Sequence, residues 1–262
     1  MKIGIIGFGH LGRALAKGLL SAGICAAADI AVCEATADLA RAATSEYGVY
    51  ASAQVGEVMA HSEYLFLTVK KPALQALAPQ MCAVGLNDRL IVSFMAGVPL
   101  AFLTHLLPNA TIVRGMPTIS IADAQGVIGY TPTADPTLAA LFAALGYAFE
   151  VPEADIEKVT VMVSCGVGFA AYVLDAFASA GESLNMERGF SETLISRAFA
   201  DAMRMGNYRE LTAAVATKGG VTEQGILTFA EGDLFALVQN AVQSAYQKAD
   251  GNAKTALAEI LE

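Results

Sequence analysis

The stretch Met1-Lys2-Ile3-Gly4-Ile5-Ile6-Gly7-Phe8-Gly9-His10-Leu11-Gly12 constrains this chain more than any other. Its apolar run from Ile3 to Ile6 predicts a buried strand, and that strand breaks at a G-x-G-x-x-G pattern. An amphipathic helix is predicted from Arg13 to about Ala22. Each glycine has its own reason. Gly7 permits a tight turn off the strand, Gly9 leaves room for a pyrophosphate, and Gly12 lets the helix pack closely on a sheet. The helix N-terminus then offers free N–H groups to the anion. The same pattern also occurs as an unliganded turn, but its place between strand and helix favours dinucleotide binding. Gly7, Phe8, Gly9, His10, Leu11 and Gly12 are the first cofactor-binding candidates, with the His10 ring near the pyrophosphate and not in catalysis.

The next strand, Asp29 to Cys33, ends at Glu34. A carboxylate about 20 residues past the glycines is where such folds hold the adenosine ribose diol. It would repel a 2′-phosphate, and Glu34-Ala35-Thr36 offers no arginine to attract one. NAD(P)H is the expected cofactor, with NADH favoured.

Strand and helix signals alternate to residue 152. Helices are expected at Asp38–Tyr47, Gln54–His61, Ala73–Met81, Leu100–Leu107 and Pro136–Leu145. Strands are expected at Val49–Ala51, Tyr64–Val69, Arg89–Phe94, Thr111–Arg114, Gln125–Tyr130 and Tyr147–Val151. That order predicts an α/β domain, a Rossmann-type doubly wound parallel sheet, over residues 1–152. Ligands of such sheets bind beyond the carboxyl ends of the strands, so the loops at Gly7, Glu34, Lys70, Ala96 and Met116 should share one rim.

From Glu153 the strand signals vanish. Alanine-rich helices are expected at Asp155–Ser179, Glu192–Met203, Tyr208–Ala216 and Thr222–Ala249, giving an all-α domain over residues 153–262. So small and apolar a helical unit is expected to bury itself against a second copy, as a homodimer.

Composition narrows the function classes. Hydrophobic residues make up 55% of the 262 and charged residues 16%, with a mean hydropathy of +0.51. No unbroken apolar run of membrane-spanning length is seen and no signal peptide is recognisable, so a cytoplasmic protein is expected. The net charge of −9 without a basic cluster argues against nucleic acid as a partner. Cys25, Cys33, Cys82 and Cys165 are scattered, as are His10, His61 and His105, so no metal site or disulfide framework is expected.

Two glycine interruptions stand out in the helical half. Ser164-Cys165-Gly166-Val167-Gly168-Phe169 costs helix stability, which close packing or an approaching ligand would explain. Thr217-Lys218-Gly219-Gly220-Val221-Thr222-Glu223 ends one helix and starts another, with Thr222 as the expected N-cap. It also forms a nest of N–H groups suited to a carboxylate. The residues alone leave structure and binding both open there.

In these segments the chain resembles the pyrroline-5-carboxylate reductases. The resemblance runs through Ile6–Gly12, Val69-Lys70, Ile91–Val98, Val113–Pro117 and Leu174-Asp175-Ala176 to Val215–Thr222. It implies reduction of a cyclic imino acid, with 1-pyrroline-5-carboxylate giving L-proline, by hydride from NAD(P)H. It also implies an N-terminal Rossmann domain with a C-terminal helical dimerisation domain, and leaves a higher oligomer of dimers open. On the same basis Val69, Lys70, Ala96, Gly97, Met116 and Pro117 line the nicotinamide half. Thr217, Gly219, Gly220 and Thr222 hold the imino acid, with Thr222 near its nitrogen and Lys70 steering a carboxylate. Thr222 and Lys70 are therefore the catalytic candidates. The chain departs from the family pattern at Met116-Pro117-Thr118-Ile119-Ser120, at Val163–Phe169, at Glu34-Ala35-Thr36 and at Val221. A different small imine or keto substrate, or a dinucleotide-binding dimer without catalysis, are the alternatives.

Overall fold

The structure is a computed structural model that describes every residue except Asp88 and Glu262. Strands and helices alternate through the first part: β1 (Ile3–Ile6), α1 (His10–Ser21), β2 (Ile30–Cys33), α2 (Ala37–Tyr47), β3 (Tyr50–Ser52) and α3 (Val55–Ala60). Then come β4 (Tyr64–Leu67), α4 (Lys71–Val84), β5 (Leu90–Ser93), α5 (Leu100–Leu106) and β6 (Thr111–Pro117). The strands end with β7 (Gly126–Tyr130), α6 (Pro136–Ala144) and β8 (Gly146–Glu150). They form one sheet in the order β3-β2-β1-β4-β5-β6-β7-β8. Pairing is parallel from β3 to β6, antiparallel between β6 and β7, and parallel again between β7 and β8. This is the doubly wound sheet expected from the sequence.

The sheet is buried on both faces because its strands carry apolar residues at successive positions. Ile3, Ile5, Phe66 and Val92 face one cluster with Leu15 and Leu19 of α1 and Leu138 and Phe142 of α6. Ile6, Leu65, Leu67 and Ile91 face the other, with Val58 of α3, Leu74 of α4 and Phe102 of α5. Burying each such side chain stabilises the fold by about 1.5–3 kcal/mol. Local signals fix the helix ends. Thr36 accepts the Leu39 N–H at the start of α2, and Gly48 closes that helix in a left-handed conformation at φ +68°. Asp135 accepts the Thr137 and Leu138 N–H groups ahead of Pro136 in α6.

The remainder is helical: α7 (Ile156–Val159), a π-helical turn at Thr160–Cys165, α8 (Gly166–Ser183), α9 (Arg188–Met205), α10 (Tyr208–Val215), α11 (Val221–Glu231) and α12 (Leu234–Ala258). Strand structure ends before residue 153, whereas compactness divides the chain elsewhere. One unit comprises Met1–Ser164 with Tyr246–Glu262, the other Cys165–Ala245. The end of α12 belongs to the first unit because Ala256 is fully buried in the α3–α4–α5 cluster. The sequence reading of one helix over Thr222–Ala249 is corrected by a break at Gly232-Asp233, where Asp233 has φ +47°. Its carboxylate accepts the Ala236 N–H and so restarts the chain as α12.

Within Cys165–Ala245 only Ala178 and Ser191 are buried. Arg188 ties α8 to α9 through Asp175, Glu182 and Glu192, and Phe177 packs edge-on against Phe199 and Phe229. Yet Tyr172, Leu184, Val221 and Phe235 are more than 70% exposed. Gly168 has open space around it, so packing inside the chain does not account for that glycine. Against the expectation that no segment could span a bilayer, the helical run Glu153–Ser183 is long and apolar enough to do so by composition. Its hydropathy comes from alanine, valine and phenylalanine spread among glycine and serine, which an unbroken-run criterion overlooks.

Candidate functional site

Strand register sets the geometry of the rim. Ile6 aligns with Cys33 and Leu67, Leu67 with Ser93, and Ser93 with Arg114. The segments after Ile6, Cys33, Leu67 and Ser93 therefore leave the same edge of the sheet. Gly7, Glu34, Lys70 and Ala96 all lie in them. Met116 and Pro117 do not: β6 runs on through both, they pair with Gly129 and Ile128 of β7, and both are buried. The sequence reading of a loop there is corrected by this extra antiparallel pairing. Thr118 follows it, its hydroxyl accepting the Val127 N–H at 2.9 Å.

The glycine loop has the shape of an anion cradle. Gly7 turns at φ +96°, and a Cβ there would lie 2.6 Å from Val69. A Cβ on Gly12 would lie 2.2 Å from the Gly7 carbonyl oxygen, so the start of α1 rests directly on the loop. Around Gly9 there is nothing within 4 Å of such a Cβ, and no side chain caps α1. An uncapped N-terminus beside open space leaves N–H groups available to a phosphate. Thr68 steadies the turn by donating its hydroxyl to the Gly7 carbonyl. The Phe8 side chain is buried and packs edge-on against Tyr47, and Arg13 donates to the Phe8 carbonyl. Phe8 therefore offers the loop its backbone only. His10 opens α1 and is exposed.

Glu34 follows β2, its N–H donating to Ser52 and its carboxylate accepting from its own neighbour Ala35 at 3.1 Å. The adjacent Cys33 thiol is pushed up to about 11, first by burial and then by the Glu34 charge, so it stays protonated and unreactive. Further along the same edge, Ser52 and Tyr50 donate hydroxyls to Glu57 and hold its carboxyl below the ordinary range.

A cleft of about 420 Å³ opens between the segments after β4 and β5. It gathers four residues named from the sequence, Val69, Lys70, Ala96 and Gly97, and leaves out Met116 and Pro117. Lys70 is exposed at the N-cap of α4, which starts at Lys71, two residues before the expected helix start at Ala73. Lys71, beside it, is bound to Glu259 and sits over the Phe102 ring. Asn252 and Thr255 complete the wall. Sequence reasoning missed both, since they come from the far end of the chain with no motif around them. Gly97, at φ +69°, touches the Asn252 side chain so closely that a Cβ would lie 2.6 Å from Asn252 Cβ.

The loop Thr217–Glu223 differs in detail from its sequence reading. Gly220, not Thr222, is the N-cap of α11, and Thr222 lies inside the first turn. Glu223 takes the Gly219 N–H at 2.6 Å, and the Thr217 carbonyl takes the Gly220 N–H at 2.8 Å. Two donors of the expected nest are thus satisfied within the loop. Gly219 adopts φ +75°, and a Cβ on Gly220 would lie 2.7 Å from the Thr217 hydroxyl oxygen, so both positions require glycine.

A doubly wound sheet with an open glycine cradle and a cleft at its carboxyl edge defines an NAD(P)-dependent oxidoreductase. Residues 2–97 match the family model for NADP oxidoreductase coenzyme F420-dependent, and residues 153–251 match that for pyrroline-5-carboxylate reductase dimerisation. The chain is 29% identical to the pyrroline-5-carboxylate reductase of Methanosarcina acetivorans, covering 94% of this chain and 96% of that protein. It is 27% identical to that of Thermus thermophilus, covering 95% and 94%. A solved structure of Plasmodium falciparum pyrroline carboxylate reductase with NADP bound superposes with a TM-score of 0.88 at 20% identity, covering 97% and 98%. Over nearly its whole length the chain is similar to the pyrroline-5-carboxylate reductases, with clear departures from their pattern.

Proposed function

We propose that this chain reduces the C=N bond of a cyclic imino acid, 1-pyrroline-5-carboxylate to L-proline, with NAD(P)H as reductant. The observation that carries the reading is the open space at Gly9 beside the uncapped start of α1, a cradle that suits a pyrophosphate and that any Cβ would narrow. The α1 N–H groups hold the pyrophosphate, and Glu34 holds the ribose diol and disfavours a 2′-phosphate, so NADH is preferred. Val69, Lys70, Ala96 and Gly97 enclose the nicotinamide half. When bound, the cofactor supplies the hydride.

A protonated imine is already electrophilic, so the protein has mainly to hold the two rings in reacting geometry. In this reading Thr222 positions the ring nitrogen and relays its proton, and Lys70 attracts the substrate carboxylate. Thr217, Gly219 and Gly220 hold that carboxylate. The helical unit functions as a homodimer, since many of its large apolar side chains are exposed in the described chain. The apolar run Glu153–Ser183 then faces a second subunit, not lipid, and the protein works in the cytoplasm.

Purified protein assayed for oxidation of NADH and NADPH with 1-pyrroline-5-carboxylate tests this directly. Turnover with NADH ahead of NADPH is expected, and none with either cofactor removes the reading. A second reading has its own support in the loop, where the Gly219 and Gly220 N–H groups already have partners. It is reduction of a cyclic imine without a carboxylate. Faster turnover of 1-pyrroline than of its 5-carboxylate would favour it.

A further inference from the structure

Arg114 ends the parallel part of β6 with only 2% of its side chain exposed. Its guanidinium binds Glu157 at 2.7 Å and Glu153 at 3.0 Å. It also donates to the Met95 carbonyl at 3.4 Å. Both carboxylates reach onward to the same segment. Glu157 accepts the Gly97 N–H at 3.3 Å, and Glu153 accepts the Leu100 N–H at 3.0 Å.

Three backbone groups of the Met95–Leu100 segment are thus fixed by one ionic group centred on the buried Arg114, and Met95, Ala96, Gly97 and Val98 are cleft-lining residues. Gly97 is the tightest point of the segment, in the left-handed region with the Asn252 side chain closing the space beside it. Replacing a buried ion pair with apolar groups often leaves stability unchanged, so stability alone gives little reason to keep this one. Arg114 and Glu157 stay behind the segment and need not touch a ligand to set its shape.

We infer that Arg114 is a positioning residue, acting with Glu157 and Glu153 to hold the Met95–Leu100 segment in the conformation that receives the nicotinamide end of the dinucleotide. The inference rests on the cleft being the cofactor's, and not on the identity of the imine. Arg114→Lys keeps the charge but cannot span both carboxylates and the Met95 carbonyl. NADH dissociation constants, measured by protein-to-cofactor fluorescence, report on it without any substrate.

Arg114→Lys is expected to weaken NADH at least fivefold, and Glu157→Gln, which keeps an acceptor for Gly97, less than threefold. Leu138→Ala, a core truncation in α6 on the other face of the sheet, serves as the stability control. It should lower the melting temperature while leaving NADH affinity within twofold. The inference is overturned if Arg114→Lys binds NADH as the parent does, or loses no more affinity than Leu138→Ala. Should Arg114→Lys not fold, Glu157→Ala takes its place and must weaken NADH more than Glu157→Gln does. If the chain has no activity on 1-pyrroline-5-carboxylate, the proposed function fails while these binding outcomes still decide this one.

Discussion

The Glu223 carboxylate accepts the Gly219 N–H at 2.6 Å, inside the loop proposed to receive the substrate's own carboxylate. An anionic substrate using that donor has to displace Glu223 and overcome its charge. Glu223→Gln keeps an acceptor for Gly219 but removes the charge, and is therefore expected to lower KM for 1-pyrroline-5-carboxylate by about threefold to tenfold, the difference between a charged and a neutral acceptor plus the relieved repulsion. KM for uncharged 1-pyrroline should not change. Steady-state kinetics on both substrates check this, and a higher KM for the carboxylate alone would mean that Glu223 builds the loop instead of competing for it.

Gly12 sets a second test. A Cβ there would lie 2.2 Å from the Gly7 carbonyl oxygen, an approach that backbone must yield to, since no side chain is available to move. Gly12→Ala is expected to push α1 off the glycine loop, with about 1–3 kcal/mol lost from stability. NADH affinity should fall at least tenfold. Denaturant unfolding and calorimetric titration give the two values. Full stability together with full affinity would show that the loop tolerates a displaced helix.

The cofactor end of the chain was legible because its signals are local. Gly7 turns at positive φ and Gly12 closes on the Gly7 carbonyl, as their spacing implied, and the apolar strands after them had to be buried on both faces. Where long-range pairing decided the outcome, the sequence was silent. Nothing near Met116 announces that β6 will continue into an antiparallel pairing with β7. Asn252 and Thr255 enter the cleft because Ala256, the next residue of the same helix, is buried in the core, a tertiary fact without a local pattern. Arg114 did leave a signal, an arginine ending an apolar strand, but its carboxylate partners lie about 40 residues on. The helix start at Val221 was off by one because Gly220 caps it without a side chain.

Cys33 supplies a test of pH dependence. Its thiol is raised from an ordinary value of 9.0 to about 11 by burial, with the Glu34 charge adding to the shift. The unfolded chain therefore loses this proton at lower pH than the native one. The contribution to stability is constant below pH 9 and is lost as pH rises towards 11. Cys33→Ala should show a shallower loss of stability across that window than the parent, whatever its stability at neutral pH. Equal slopes in urea titrations at a series of pH values would count against a buried, protonated thiol.

Cofactor choice is proposed to rest on Glu34. In that reading, removing its carboxylate takes away the partner of the ribose diol together with the charge that repels a 2′-phosphate. Glu34→Ala is expected to weaken NADH by about tenfold, for the loss of charge-assisted hydrogen bonds, and to tighten NADPH. Dissociation constants for both cofactors on both proteins decide it. A parent that already binds NADPH more tightly than NADH would remove the premise.

The helical unit gives the last prediction. Among the described residues of Cys165–Ala245, only Ala178 and Ser191 are buried, while Val221 is 93% exposed and Phe235 89%. A segment of this length with almost no core of its own cannot offset the conformational entropy of ordering its helices. In the proposed homodimer, the second copy supplies the missing contacts. Stability then depends on protein concentration, because association favours the folded state by mass action. The melting temperature should rise as concentration is raised over two or three decades, and sedimentation velocity should find a dimer or a multiple of one. Phe235→Asp buries a charge without a partner if that face is covered, so it should lower the melting temperature and shift the sedimentation profile towards monomer. NADH binding offers the contrast, since the glycine cradle lies in the other unit. A parent that sediments as a monomer, with a melting temperature independent of concentration, would leave those apolar side chains to some other partner.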